Sequence, residues 1–304
     1  MGTDGHVIVV TSDQDDAERL AQHLCEQGFE RLEQLEARWS RFRPDSELVR
    51  LNAVVGGPVV VAPITFELIR HAVTSWQRTD GAYDPTVAPS LVAAGYDRDF
   101  RSLSRAGPAL VGAGVAPAPG CSDIALDPIV CSVALPPGVS LDLGGVAKGF
   151  AADVVADELV AAGAQGVCVN LGGDLRVIGT PPRANSPSDG WGIEVEEADD
   201  HPLLTISAGA VATTSRRRRT WRRGALEYHH IIDPRTGSPA EVPWLAATVL
   251  AGRARDAEVL AKAAFLAPDA AGASAILGRF DATGLLVDGN GQSVALEGIA
   301  PFMG

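Results

Sequence analysis

Between residues 124 and 250 the strand-length apolar segments come in runs, with helices between the runs and not after each strand, and this limits the fold more than any other feature. Residues 124–134 and 139–143 alternate like strands, and residues 146–162 form a helix pattern between Gly144-Gly145 and Gly163. Strands are then expected over 166–171 and 175–179, split by Gly172-Gly173-Asp174, and over 192–195, 203–206, 227–232 and 245–250. A doubly wound parallel sheet needs a crossover after every strand, so the runs point to an α+β fold. Upstream, residues 6–12 read as a strand. Residues 13–42 read as an amphipathic helix carrying Leu20, Leu24, Leu32, Leu35 and Trp39. A short helix follows Pro44, residues 58–62 form a strand, and Pro63 starts a helix to about residue 79. Residues 84–119, rich in Gly, Pro and Ala, read as loop with short helices; helices over 255–266 and 269–279 and a strand over 284–287 close the chain. There is no internal repeat.

At 304 residues the chain suits a single unit over 1–304 or two interlocked lobes. It has no apolar run near the roughly 20 residues that cross a bilayer, so no membrane span is expected. The first residues lack a basic flank and apolar core, which points to a cytoplasmic setting. The four cysteines form no Cys-x-x-Cys pair and read as free thiols. A net charge of −13 argues against nucleic acid as a partner. Against that trend, six of the 25 Lys and Arg residues fall within residues 216–223, either a solvated loop or a loop meeting an anion.

Three segments carry candidate chemistry. Asp142-Leu-Gly-Gly-Val-Ala-Lys-Gly149 ends a strand in an acid, turns on glycines and opens a helix, whose free amides favour anions. It matches neither a six-residue dinucleotide glycine fingerprint nor a Walker A loop. Tyr228-His-His-Ile-Ile-Asp-Pro-Arg-Thr-Gly237 sets two histidines at a strand end, pointing to opposite faces, so only one can face a given pocket. Thr79-Asp-Gly-Ala-Tyr-Asp-Pro-Thr86 offers Asp84 before a proline.

The order of these segments, with Ser40-Arg-Phe-Arg-Pro-Asp-Ser-Glu-Leu-Val-Arg-Leu-Asn52 before them and Asn170-Leu-Gly-Gly-Asp174 among them, resembles the ApbE-like FAD:protein FMN transferases over nearly the whole chain. The resemblance implies a T-fold-like α+β architecture of mixed and antiparallel sheets with packed helices. It also implies FAD as donor and an acceptor protein whose Thr or Ser hydroxyl receives FMN, with AMP released. Carried over by position, Met1 and Phe42 lie against the flavin nucleotide, Ala82, Tyr83 and Asp84 line its site, and Asp142 and Lys148 contact FAD. His230 is the base near the acceptor hydroxyl, and Ile231 and Ile232 offer backbone contacts. Phe42 stands where the family usually has Tyr and lacks its hydroxyl.

The resemblance also implies Mg2+ held by the Gly145 carbonyl and, on a C-terminal helix, by an Asp with a Thr one turn later. Here Arg255-Asp-Ala-Glu-Val-Leu-Ala-Lys-Ala-Ala264 keeps the spacing and changes the ligands to Glu258 and Lys262. A protonated lysine cannot ligate a cation. The expectation is that Lys262, held by Glu258, meets the pyrophosphate of FAD where the ion would stand. Two alternatives share the motifs: a hydrolase splitting FAD to FMN and AMP, and a non-catalytic FAD-binding protein.

Overall fold

The computed structural model of the chain describes residues 3–12, 16–110, 116–182 and 190–304, which fall into two compact units. One comprises Glu36–Gly145 with Arg216–Val242, and the other Thr3–Leu35, Val146–Ser215 and Pro243–Gly304.

The second unit is built on a seven-stranded sheet whose order in space is its order along the chain: Gly5–Val10, Gly166–Leu171, Asp174–Gly179, Gly209–Ser215, Ala246–Ala251, Thr283–Val287 and Ser293–Ala295. Every neighbouring pair is antiparallel. Gly172 and Gly173 both have left-handed backbone, φ +68° and +97°, as a two-residue type I′ hairpin requires. That turn sets Asp174 at the first position of its strand.

Side chains on these strands alternate between faces. Leu175, Val177, Val211, Leu250, Leu285 and Val287 form a core with Trp191, Leu204 and Ile206 of the hairpin Trp191–Glu194/Leu203–Ile206. The alternate residues Ala210, Ala212, Ala247 and Val249 are buried too, on the face where the helices Ala147–Ala161 and Ala254–Phe265 pack. With both faces covered, strands such as Ala246–Ala251 are buried at successive positions and, apart from Thr248, apolar, so they show no alternation.

The two helices hold each other by their ends. Both Asp153 carboxylate oxygens accept from the second helix's first amides, Ala254 at 2.9 Å and Arg255 at 3.2 Å. In return Glu258 Oε2 accepts from the Gly149 amide of the first helix at 2.8 Å. Helix ends leave amides without intrahelical partners, and here each helix caps the other. Gly149 permits the approach: a Cβ there would lie 2.2 Å from the Ala254 carbonyl oxygen.

The first unit carries the helices Glu47–Ala53, Pro63–Arg78 and Ala88–Ala93. One small sheet pairs Pro58–Val60, Ser132–Ala134 and Ala125–Asp127 antiparallel. A second is mixed: Thr220–Arg223 runs antiparallel to Leu226–His229 and parallel to Ala106–Gly107. Around it Tyr96, Trp221, Leu91, Leu103 and Ile232 form a core, with Phe42 and Tyr228 packed against it. Together the units give the expected α+β class with mixed and antiparallel sheets. Among the described residues no helix is long and apolar enough to cross a membrane.

Three expectations need correction. Residues 139–143 form no strand, because the Asn52 side chain takes the place of a partner strand: its Nδ2 donates to the Leu141 carbonyl at 2.9 Å and its Oδ1 accepts from the Leu141 amide at 2.8 Å. The segment expected over 124–134 breaks into two strands with a turn between them, where Cys131 has φ +52°. The basic stretch is only partly loop, since Gly209–Ser215 and Thr220–Arg223 are strands and Arg216–Arg219 merely connect them.

Candidate active site

A buried cluster of charge lies in the second unit, where the Gly172-Gly173 turn and the capped helix pair place four side chains together. Lys148 Nζ donates to Asp174 Oδ2 and, at 2.5 Å, to Glu258 Oε1. Lys262 Nζ donates to the Glu258 carbonyl oxygen at 3.3 Å and lies 3.6 Å from Glu258 Oε1. Glu258 is 1% exposed and Asp174 4%, against 14% for Lys148 and 23% for Lys262. The Glu258–Lys262 pair is therefore a buried interaction and not a solvated helix salt bridge.

Burial opposes every charge here, and the neighbours decide which survive. Burial would raise the Glu258 carboxyl, but the Lys148 and Lys262 charges with the Gly149 amide hold it below the usual range. Burial likewise works against the Lys148 ammonium, yet the charges of Asp174 and Glu258 keep it above an ordinary lysine. Asp174 is pushed up by burial, Lys148 offsetting part of the effect and Glu258 adding to it. Lys262 is pulled down by burial and by repulsion from Lys148, against the attraction of Glu258. The two carboxylates around Lys148 thus move in opposite directions, and Glu258, flanked by both ammoniums and an amide, is the firm anion.

In the first unit Asp142 is buried, with a partner on each carboxylate oxygen. Its Oδ1 accepts from the Gly144 amide at 2.7 Å, closing the glycine turn, and its Oδ2 pairs with Arg41 Nε at 2.9 Å. The Arg41 guanidinium lies 4.3 Å from the Phe42 ring centroid and 4.5 Å from that of Tyr96, a cation held on aromatic faces. The Asp142 amide donates to the Pro85 carbonyl at 2.7 Å, tying the acid to the segment of Asp84. Asp84 Oδ1 accepts from the Thr86 amide at 2.7 Å and hydroxyl at 2.6 Å. Burial raises its carboxyl although Thr86 pulls the other way. Gly145 ends this unit half-buried, Ala82 is half-buried, and Tyr83 is buried.

The histidines part company at the end of Leu226–His229. His229 Nε2 donates to the Ala240 carbonyl at 3.1 Å and its Nδ1 accepts from the Ile231 amide at 3.3 Å. Both bonds suit a neutral ring, and burial lowers its proton affinity. His230 lies just beyond the strand, half-buried, before the buried Ile231 and Ile232. The Ile231 carbonyl accepts from the Ala240 amide, and Ile232 bridges Pro239.

Of the expected site residues, the structure gathers Lys148, Glu258 and Lys262 into one cluster. It links Asp142 to the Asp84 segment and, through Arg41, to Phe42. Met1 lies outside the described residues. Asp174, Arg41, Thr86 and Tyr96 were missed, although Asp174 follows a two-glycine turn and Arg41 precedes Phe42. All four cysteines are free thiols. The arginines of the basic stretch brace the first unit: Arg216 donates to the Val242 carbonyl, Arg219 to the Tyr96 hydroxyl and Arg223 to the Gly95 carbonyl.

The pattern defining the ApbE family matches residues 1–283. The FAD:protein FMN transferase of Treponema pallidum is 30% identical over 269 residues, 79% of this chain and 70% of that protein. The Klebsiella pneumoniae protein of the same name is 29% identical over 255 residues, 82% and 77% of the two chains. The crystal structure of the ApbE protein of Thermotoga maritima superposes with a TM-score of 0.80 at 28% identity, covering 97% of this chain and 95% of that one. The apo flavinyl transferase ApbE of Pseudomonas stutzeri, at 24% identity, has the same fold with a TM-score of 0.79 over 100% of this chain and 95% of its own. With sequence pattern and fold agreeing along nearly its whole length, the chain belongs to the ApbE family.

Proposed function

We propose that this chain is an FAD:protein FMN transferase, moving FMN from FAD to a Thr or Ser hydroxyl of an acceptor protein and releasing AMP, with residues 1–304 as one working unit. The observation that carries the reading is membership of a family whose curated relatives bear that name. The proposed setting is the cytoplasm, whose reducing interior suits four free thiols.

In the reaction the acceptor oxygen bonds to the FMN phosphorus while the bond from that phosphorus to the bridging oxygen breaks, and AMP leaves with that oxygen. His230 takes the hydroxyl proton, the general-base role that imidazole side chains most often fill. His229, fixed by two backbone bonds, orients the strand end and takes no proton. Phe42, Ala82, Tyr83 and Asp84 line the flavin nucleotide, with backbone contacts from Ile231 and Ile232. Arg41 holds Asp142 in place for its contact with FAD. Lys148 acts on the donor by holding Asp174 and Glu258, and Lys262 neutralises pyrophosphate charge.

The Mg2+ that the resemblance implies does not fit these residues. Both Glu258 oxygens are occupied, one by Lys148 and the other by the Gly149 amide, and an ammonium stands at Lys262. No step above needs the ion.

Incubation with FAD and a candidate acceptor peptide, followed by mass spectrometry and nucleotide analysis, tests the reading. An FMN-sized mass gain on the peptide with AMP released supports it. Free FMN and AMP without that gain make the chain a hydrolase, and intact FAD makes it a binding protein; either result overturns transfer.

A further inference from the structure

The cluster of Lys148, Asp174, Glu258 and Lys262 has the stoichiometry of a finished ion network and not of a metal cradle. Two ammoniums balance two carboxylates. Glu258 Oε2 caps the helix Ala147–Ala161 through the Gly149 amide at 2.8 Å, and Oε1 takes Lys148 at 2.5 Å. Asp174 spends Oδ2 on the same ammonium. A Mg2+ ion asks for octahedral oxygen ligands at about 2.0–2.1 Å, so seating it on Glu258 would displace an ammonium, uncap a helix, or both. It would also add two positive charges beside two already present, where burial leaves little water to screen them.

Lys262 is the most exposed of the four and the least committed. It donates to the Glu258 carbonyl, 3.3 Å away, and the 3.6 Å to Glu258 Oε1 is too long for a second hydrogen bond. An ammonium has three donors, so Lys262 retains donors for an anionic oxygen while Glu258 braces it.

We infer that the donor site of this chain works without a bound divalent cation, the Lys262 ammonium braced by Glu258 supplying the positive charge that meets the pyrophosphate oxygens of FAD. The inference rests on the reading that FAD is the donor. It separates this chain from a metal-dependent mode of action: chelators leave its site intact, and its positive charge is set by protonation.

Two measurements test it, one of them without FAD. In the first, Mn2+ is titrated into FAD-free protein and bound ion is followed by electron paramagnetic resonance. No protein-bound Mn2+ is expected, and tight binding that Glu258→Gln removes would overturn the inference. In the second, FAD binding is followed by flavin fluorescence in EDTA-treated protein and after adding MgCl2. The Kd is expected to stay unchanged, whereas binding that appears only with Mg2+ overturns the inference.

Lys262→Met is expected to weaken FAD binding about tenfold or more, as loss of a charge-assisted hydrogen bond does. Lys262→Arg should retain binding, and propylammonium should restore it to Lys262→Ala. Unchanged affinity in Lys262→Met also overturns the inference. If Lys262→Met fails to fold, the Mn2+ and EDTA arms on the parent protein still decide. FAD that binds without metal yet never yields its FMN sinks the transferase reading and leaves this one standing; absence of FAD binding altogether sinks that reading, and the Mn2+ arm decides here.

Discussion

At the scale of single residues, the behaviour of the site follows from which charges burial tolerates. Glu258 is the anion on which two lysines and a helix end depend. Glu258→Gln keeps the shape but strands the ammoniums, and breaking a buried pair by removing one partner costs about 3–5 kcal/mol. Urea unfolding should register a loss of that order. The pH dependence has a definite sign. A lysine whose folded pKa lies below its unfolded value of 10.5 carries a folding cost that is full below the folded pKa and is relieved as pH rises through it toward 10.5. FAD affinity should move the opposite way, falling with rising pH before an ordinary lysine would lose its proton. Lys262→Arg should abolish that fall, since a guanidinium stays charged. A pH titration of FAD affinity on both proteins checks this, and an identical fall in the two would point to another group.

At the scale of elements, the helices Ala147–Ala161 and Ala254–Phe265 depend on each other for their first turns. Asp153→Ala removes the acceptors for two amides and leaves Arg176, 3.4 Å from the carboxylate, without that partner. A lost cap costs about 0.5–2 kcal/mol, and thermal melting should place this one at the upper end. Gly149→Ala should be worse, because the added methyl meets the Ala254 carbonyl backbone and not a flexible side chain. In the other unit Asn52→Ala leaves the amide and carbonyl of Leu141 without their side-chain partner, next to Asp142. Each buried polar group so stranded costs about 1–3 kcal/mol. The expected result is a lower melting temperature with weakened FAD binding, and loss of stability alone would separate Asn52 from the site.

At the scale of the molecule, charge is divided unevenly. The first unit carries 16 Lys and Arg against 14 Asp and Glu, net +2, and the second 9 against 24, net −15. Self-repulsion in the acidic unit weakens its compact state, and salt screens it. Melting in increasing NaCl should therefore show the transition of the whole chain rising; a falling transition would mean that attractive pairs outweigh repulsion. Readable from the chain were the α+β class through its runs of strands, the Gly172-Gly173 turn through residues that adopt left-handed backbone without steric cost, and the helix after Gly144-Gly145. Those are local properties, readable within a window of ten to twenty residues. Tertiary structure alone decided that residues 139–143 pair with a side chain and not with a strand, and that Gly209–Ser215, made only of small residues, Val211 and two threonines, lies in the middle of the sheet. It also decided the partners of Lys148. Asp174 and Glu258 stand 26 and 110 positions away along the chain, and the charge state of a buried cluster depends on which groups come together, a distance no local pattern records.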